Sequence, residues 1–339
     1  MKPGTKIDIF NHFLPAAYFE RLRQAVPENP ALRAFARLPA LWDEQARLAL
    51  LARHPDLQQI LSLANPPVEL VAGPADSPAL VRLGNDGLAR LCRANPDRFP
   101  GFIASLPMNN PEAAVGEARR AVEELGACGV QLYTNVAGTP LSAPQFRPVF
   151  AAMAGYDLPV WVHPMRGPDF ADYRSEAASC DEIWFTFGWP YETSACMARL
   201  IFSGLLDELP GLKIITHHMG GMIPYFADKI GLGFEQIFFG APDRNPLAAR
   251  AGLKKQPLDY FRMLLGDTAL NGSAAATRCG HAFFGTAQSL FATDAPFDSL
   301  GGQQLIAGTI AAVEALEIPA AERDAIFAGN ASRLLRLTG

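Results

Sequence analysis

Lys6-Ile7-Asp8-Ile9-Phe10-Asn11-His12 (KIDIFNH) is the stretch that decides how the rest of the chain is read. It is an apolar run that stops at a polar Asn-His pair, the pattern of a short strand buried on both faces and ending at a functional edge. The pattern recurs at 59–63, 101–106, 129–134, 159–163, 213–218, 264–270 and 289–294. Most of these runs are rich in Ile, Val, Leu and Phe, and several lack the alternation of a half-exposed strand. Segments with helical spacing lie between them. In 190–209, Met197, Leu200, Ile201 and Leu205 form one stripe; 111–125, 302–316 and 319–327 behave similarly. Eight strands alternating with helices predict an α/β fold, a (β/α)8 TIM barrel. Residues 14–57 are helical in pattern but too long for one crossover. They are expected to form a helical insertion after strand one, near the barrel mouth, with 1–339 as one barrel unit.

Composition narrows the class. Of the 339 residues 49% are hydrophobic and 19% charged, which supports a sizeable core and excludes a disordered chain. The net charge of −5 and the absence of a Lys/Arg run longer than Lys254-Lys255 argue against nucleic acid as a partner. No apolar run approaches the ~20 residues of a membrane span, and MKPGTKIDIF runs directly into the first strand. Cys92, Cys128, Cys180, Cys196 and Cys279 are scattered and form no CxxC pair, so reduced thiols and a cytoplasmic location are expected.

Chemistry concentrates at strand ends. Three runs end in histidine (His12, His163 and the pair His217-His218), and a fourth ends in Asp294. In a parallel barrel these ends share one face, so the four groups should converge. One strand-end histidine is ordinarily just a hydrogen-bonded residue. Four such groups at equivalent positions suit a divalent ion with N and O ligands. Strict alternation turns His217 towards the helices if His218 faces the interior, so His217 is expected to be structural. His54 and His281 receive the same structural reading. No GxSxG elbow and no phosphate-binding glycine loop follows a strand.

These motifs carry a resemblance. Asp8-Ile9-Phe10-Asn11-His12, Val162-His163-Pro164, His218-Met219-Gly220-Gly221 and Thr293-Asp294-Ala295-Pro296-Phe297 resemble the amidohydrolase superfamily. The branch they are most similar to holds aminocarboxymuconate-semialdehyde, resorcylate and carboxyvanillate decarboxylases. Gly129-Val130-Gln131, Pro190-Tyr191-Glu192-Thr193, Phe283-Phe284-Gly285 and Gly329-Asn330-Ala331 add to it, over almost the whole chain. The resemblance implies a metal-dependent barrel with His12, His163 and Asp294 as metal ligands. It implies His218 and Asp294 as the acid–base pair. Zinc is the expected ion, with manganese, iron or cobalt as alternatives. Lys229 stands where the relatives have a carboxylate-binding arginine that reaches a neighbouring subunit, which implies a homodimer.

The chain departs from the pattern at Phe10, where the family has His or Glu as a metal ligand. Phenylalanine cannot ligate, so three protein ligands remain, or the site lacks its metal. Phe10 should point into the site and, with Tyr133, line the substrate pocket. Trp161, Phe170, Trp184 and Trp189 are either pocket walls or core. Arg166 would clamp a substrate carboxylate or form a loop salt bridge. Glu192 would order that loop or simply begin a helix. Asp8 is expected to stand behind the ligands. The expected reaction is nonoxidative decarboxylation of an aromatic or unsaturated carboxylic acid. Hydrolysis of a lactone or amide is the alternative. A degenerate subunit partnering a related complete amidohydrolase is another.

Overall fold

In the computed structural model, which describes residues 4–233 and 252–337, all eight apolar runs become strands. They are Lys6–His12, Leu57–Ser62, a third broken into Gly101–Phe102 and Ala104–Ser105, then Val130–Tyr133, Val160–His163, Ile214–Thr216, Leu265–Asp267 and Ser289–Leu290. Every pairing between neighbouring barrel strands is parallel; only the small hairpin Asn135–Val136 with Thr139–Pro140, outside the barrel sheet, is antiparallel among the described residues. The barrel closes where the last strand returns to the first: Ile9 N–H donates to Phe291 O at 3.0 Å, and Asp294 N–H to Phe10 O at 3.0 Å. The break in the third strand is bridged by Ile103 N–H to Leu61 O and Ala104 N–H to Gly129 O. One strand therefore hands pairing from its second neighbour to its fourth.

The interior holds Ile7, Ile9, Phe10, Ile60, Ile103, Trp161, Ile215, Leu290 and Ala292 in one cluster. Trp161 is thus core and not a pocket wall. The larger cluster lies between the barrel and its helices, where Gly188–Phe202 buries Cys196, Met197, Leu200 and Ile201. The stripe predicted over 190–209 is this helix and a short second one, Leu205–Glu208, separated by Gly204 at φ +76°.

Residues after the first strand form Ala16–Ala25, Pro30–Phe35 and Glu44–Ala52, with a 3-10 turn at Pro39–Leu41. Their attachment is polar as well as apolar. Arg47 is fully buried; its Nε donates to Ala40 O at 2.7 Å, and Nη1 to Asn11 Oδ1 at 3.1 Å and Gln59 Oε1 at 2.9 Å. Its Nη2 bonds the carbonyl of His12. Gln59 passes the network on to Asp8 Oδ2 at 3.0 Å. Burial lowers the Arg47 guanidinium to about 10 against the pull of Asp8. At the far side, Phe35 packs on Phe297 (5.3 Å between ring centres) and Phe297 on His12 (5.3 Å), so this segment reaches the His12 face.

Candidate active site

The strand ends gather the predicted groups at one mouth. Asp294 stands in the left-handed region at φ +60°, immediately after the turn that pairs with Phe10. Its Oδ1 lies 3.0 Å from His12 Nε2, and its Oδ2 is 3.7 Å from His218 Nε2. The rings of His12 and His163 are 5.6 Å apart. Burial alone would raise the Asp294 carboxyl, but the imidazoles of His12 and His218 beside it outweigh that and hold the group below its ordinary range. Burial acts to lower His218; the Asp294 carboxylate 3.7 Å away overcomes that and raises it. His163 is driven far down, chiefly by burial and then by its histidine neighbours.

Two of the histidines are held in a tautomer by backbone carbonyls. His12 Nδ1 donates to Leu63 O at 3.1 Å and His163 Nδ1 to Pro164 O at 2.6 Å, which turns Nε2 of both towards the mouth. A His12 lone pair facing a carboxylate oxygen needs a proton or a cation beside them. Two donors on one ion at a right angle, with bonds of about 2.1 Å, stand roughly 3 Å apart, as His12 and Asp294 do. Among the described residues no three His, Cys, Asp or Glu groups are yet close enough to hold an ion as they stand. The donors thus fit a divalent metal in chemistry, and His12 and Asp294 fit one in spacing, without a closed cage among the described residues.

Phe10 is fully buried and points into this group: its ring centre lies 4.5 Å from that of His12, 5.8 Å from His163 and 3.5 Å from His217. The pairing register between the first two strands shifts between Asp8 and Asn11, and both Ile9 and Phe10 join the interior. Asp8 stands behind, accepting from Phe10 N–H (3.2 Å), Thr293 N–H (3.0 Å) and Thr293 Oγ1 (2.6 Å). Burial pushes its carboxyl up to about 6 against those bonds. It ties the first strand to the last beside His12 and Asp294.

His217 corrects the sequence expectation. It faces inward, against Phe10 and His163, and not towards the helices. Alternation from Ile215, which lies in the interior cluster, leads inward at 217. The left-handed residues His218 (φ +54°) and Met219 (φ +48°) then break the alternation and swing His218 to the mouth as well. Gly221 completes this turn at φ +64°, where a Cβ would meet Pro190 O at 2.5 Å, so a larger residue could not pack against the start of the helix Gly188–Phe202.

The proposed substrate contacts divide. The Tyr133 ring lies 5.2 Å from His163, and Trp189 packs edge-on against His163 at 5.3 Å; both wall the site. Arg166 does not point freely at the histidines. Nη1 is 3.4 Å from Glu192 Oε1, the guanidinium lies over Phe170 at 4.7 Å, and its own carbonyl accepts from Trp189 Nε1. It borders a cleft of about 410 Å³ with Asn135, Asp169 and Arg199. Lys229 is exposed on the helix Ala227–Gly233, and no contact among the described residues brings it to the histidines within this chain.

Three polar groups, one of them within the quoted Gly129-Val130-Gln131 motif, carry no site role in the sequence. Asp267 bonds His217 Nδ1 and accepts from His218 N–H at 2.9 Å; it closes the seventh strand, so the strand-end logic that found Asp294 could have found it. Gln131 Nε2 reaches Leu63 O and Tyr133 Oη. Glu69 lies with Tyr18, Gln131 and Tyr133 around a small chamber beside the site; its Oε1 is buried without a partner. Burial lifts the Glu69 carboxyl to about 7 from an ordinary 4.5. A raised acid makes the folded state the better proton binder, so this stability is held at low pH and lost as pH rises through that window. Glu69→Gln should therefore match the wild type near pH 4.5 and exceed it by up to about 3 kcal/mol above pH 7. Urea melts at both pH values would expose a constant difference, the result that defeats this reading.

Comparison with known proteins now supplies the class. The sequence model of the Amidohydrolase family matches residues 7–337, and this chain belongs to that family. Among its relatives, the gamma-resorcylate decarboxylase of Rhodococcus jostii (strain RHA1) is 32% identical over 298 residues, covering 85% of this chain and 83% of that one. Two solved structures share the whole architecture. One is the 5-carboxyvanillate decarboxylase of Sphingomonas paucimobilis, with TM-score 0.81, 27% identity and coverage of 98% and 99%. The other is the dihydroxybenzoic acid decarboxylase of Polaromonas sp. JS666 with bound manganese and 2-nitroresorcinol, with TM-score 0.79, 28% identity and coverage of 98% and 97%.

Proposed function

We propose that this chain is a metal-dependent nonoxidative decarboxylase of an aromatic carboxylic acid. One observation carries the reading: a single carboxylate, Asp294, spans His12 at 3.0 Å and His218 at 3.7 Å. A ligand pair and a proton-carrying imidazole thus share one group, in a chain related over most of its length to decarboxylases. His12, His163 and Asp294 would hold a divalent ion, which supplies Lewis-acid polarisation and a template for the substrate's carboxylate and its neighbouring oxygen. Zinc suits these donors, and manganese is the ion in the Polaromonas relative.

The protein's own groups supply the remaining chemistry. Tyr133, Trp189 and Phe10 wall the ring and exclude water from it. His218 Nε2–H delivers a proton to the ring carbon that bears the carboxylate. The bond to the carboxylate then breaks, its electron pair returns to the ring, and CO₂ departs. His218 is left neutral, with Asp294 beside it to stabilise the imidazolium when it is regained from solvent. Residues 14–57 are read as a cover that closes the mouth through Phe35 and Phe297. Lys229, exposed within one chain, is read as serving a neighbouring subunit's pocket in a homodimer. No helix among the described residues is long and apolar enough to cross a membrane; a cytoplasmic enzyme is the accompanying reading.

The deciding experiment uses metal-stripped protein reloaded with manganese or zinc and incubated with 2,6-dihydroxybenzoate, 6-methylsalicylate and 5-carboxyvanillate. CO₂ release that stops on chelation and returns on reloading is expected. Metal-dependent opening of lactones or amides without CO₂ release would move the assignment to a hydrolase. No bound metal and no turnover would leave a degenerate subunit.

A further inference from the structure

Phe10 removes one ligand, a His or Glu, from the family pattern, and among the histidine rings around it the nearest is that of His217. The Phe10 and His217 ring centres are 3.5 Å apart. His217 is fully buried, and its Nδ1 bonds Asp267, itself fully buried. A carboxylate on Nδ1 fixes the tautomer and makes Nε2 the more basic lone pair, the arrangement that commonly stands behind a metal-bound imidazole. Nε2 of His217 is buried and has no hydrogen-bond partner. A purely structural buried histidine would be expected to satisfy both nitrogens.

Position agrees with chemistry. His163 lies 5.6 Å from His12 and 5.5 Å from His217, ring centre to ring centre. His217 therefore stands to His163 as the ligand His12 does. Two imidazoles bound through Nε2 to one ion have ring centres roughly 5 Å apart, given bonds of about 2.1 Å. His218, by contrast, is engaged with Asp294.

We infer that His217 is the ion's third imidazole ligand, replacing from the sixth strand the donor that Phe10 withholds on the first. This inference rests on the reading that the mouth binds a divalent ion. The set becomes His12, His163, His217 and Asp294, backed by Asp267. His218 is left free for proton transfer.

The test titrates Mn(II) into the stripped full-length protein, with free ion followed by electron paramagnetic resonance and coordinated nitrogens counted by its pulsed form. The wild type should bind one ion with three imidazole nitrogens. His217→Ala should show two and bind at least tenfold more weakly. Asp267→Asn should weaken binding about 10–100-fold, as loss of a partner behind a ligand does. Phe10→His added to His217→Ala should recover most of the affinity. His217→Gln, which can still donate to Asp267, controls for folding, and melting curves accompany each variant. Wild-type affinity and nitrogen count in both His217 variants would overturn the inference, as would a wild type that binds no ion. The two readings fail separately. Metal-dependent CO₂ release with a dispensable His217 defeats only the ligand assignment. An ion held through His217 without turnover of any aromatic acid defeats only the decarboxylase.

Discussion

His218→Asn is expected to lower kcat/KM for decarboxylation by about 10²–10⁴, the usual contribution of a positioned proton donor. Manganese affinity should stay within about threefold of the wild type, because His218 stands 3.7 Å beyond the Asp294 oxygen that faces it and is not needed as a ligand. Asparagine keeps much of the volume and can still bond Asp294, but it cannot give a proton to carbon. The split between affinity and turnover is what identifies the role. A ligand would lose both, as Asp294→Asn should, since that carboxylate faces His12 with one oxygen and His218 with the other. If His218→Asn turns over within tenfold of the wild type, the proton comes from elsewhere and the proposed division of labour is wrong.

Arg47→Leu should carry the largest cost in stability. The guanidinium has no exposed surface and serves Ala40 O, Asn11, Gln59 and the carbonyl of His12. Leucine fills part of the volume but leaves these acceptors without donors. It also removes a buried cation that the field of Asp8, reached through Gln59, supports. Breaking one side of a buried charged network typically costs about 3–5 kcal/mol. Arg47→Lys should recover only part of this, because an ammonium lacks the planar fork that reaches several acceptors at once. Urea unfolding of the three proteins checks it; a loss below about 1 kcal/mol for leucine would mean that water replaces the guanidinium. Metal affinity should fall as well, because Arg47 holds the backbone of His12.

Much of this could be read without coordinates. Each barrel strand is an apolar run closed by polar residues, and burial on both faces imposes that composition whatever the neighbours are. The strand-end location of His12, His163, His218 and Asp294 followed from the same grammar, because parallel strands put their ends on one face. Family membership was legible too, since it resides in the order of short motifs along the chain.

What the sequence could not determine was direction and partnership. His217 and His218 are adjacent, and only the left-handed turn at 218–219 reveals that both reach the interior. Arg166 has the composition of a substrate clamp, yet a glutamate 26 residues later and an aromatic face engage it. Arg47 looks like a surface residue of an amphipathic helix, and becomes the buried link between the inserted segment and the first strand. Strand identity is a local property, fixed by which side chains can tolerate burial along a few residues. Which polar atom meets which is fixed by backbone paths separated by tens or hundreds of residues, and only the closed barrel brings those paths together.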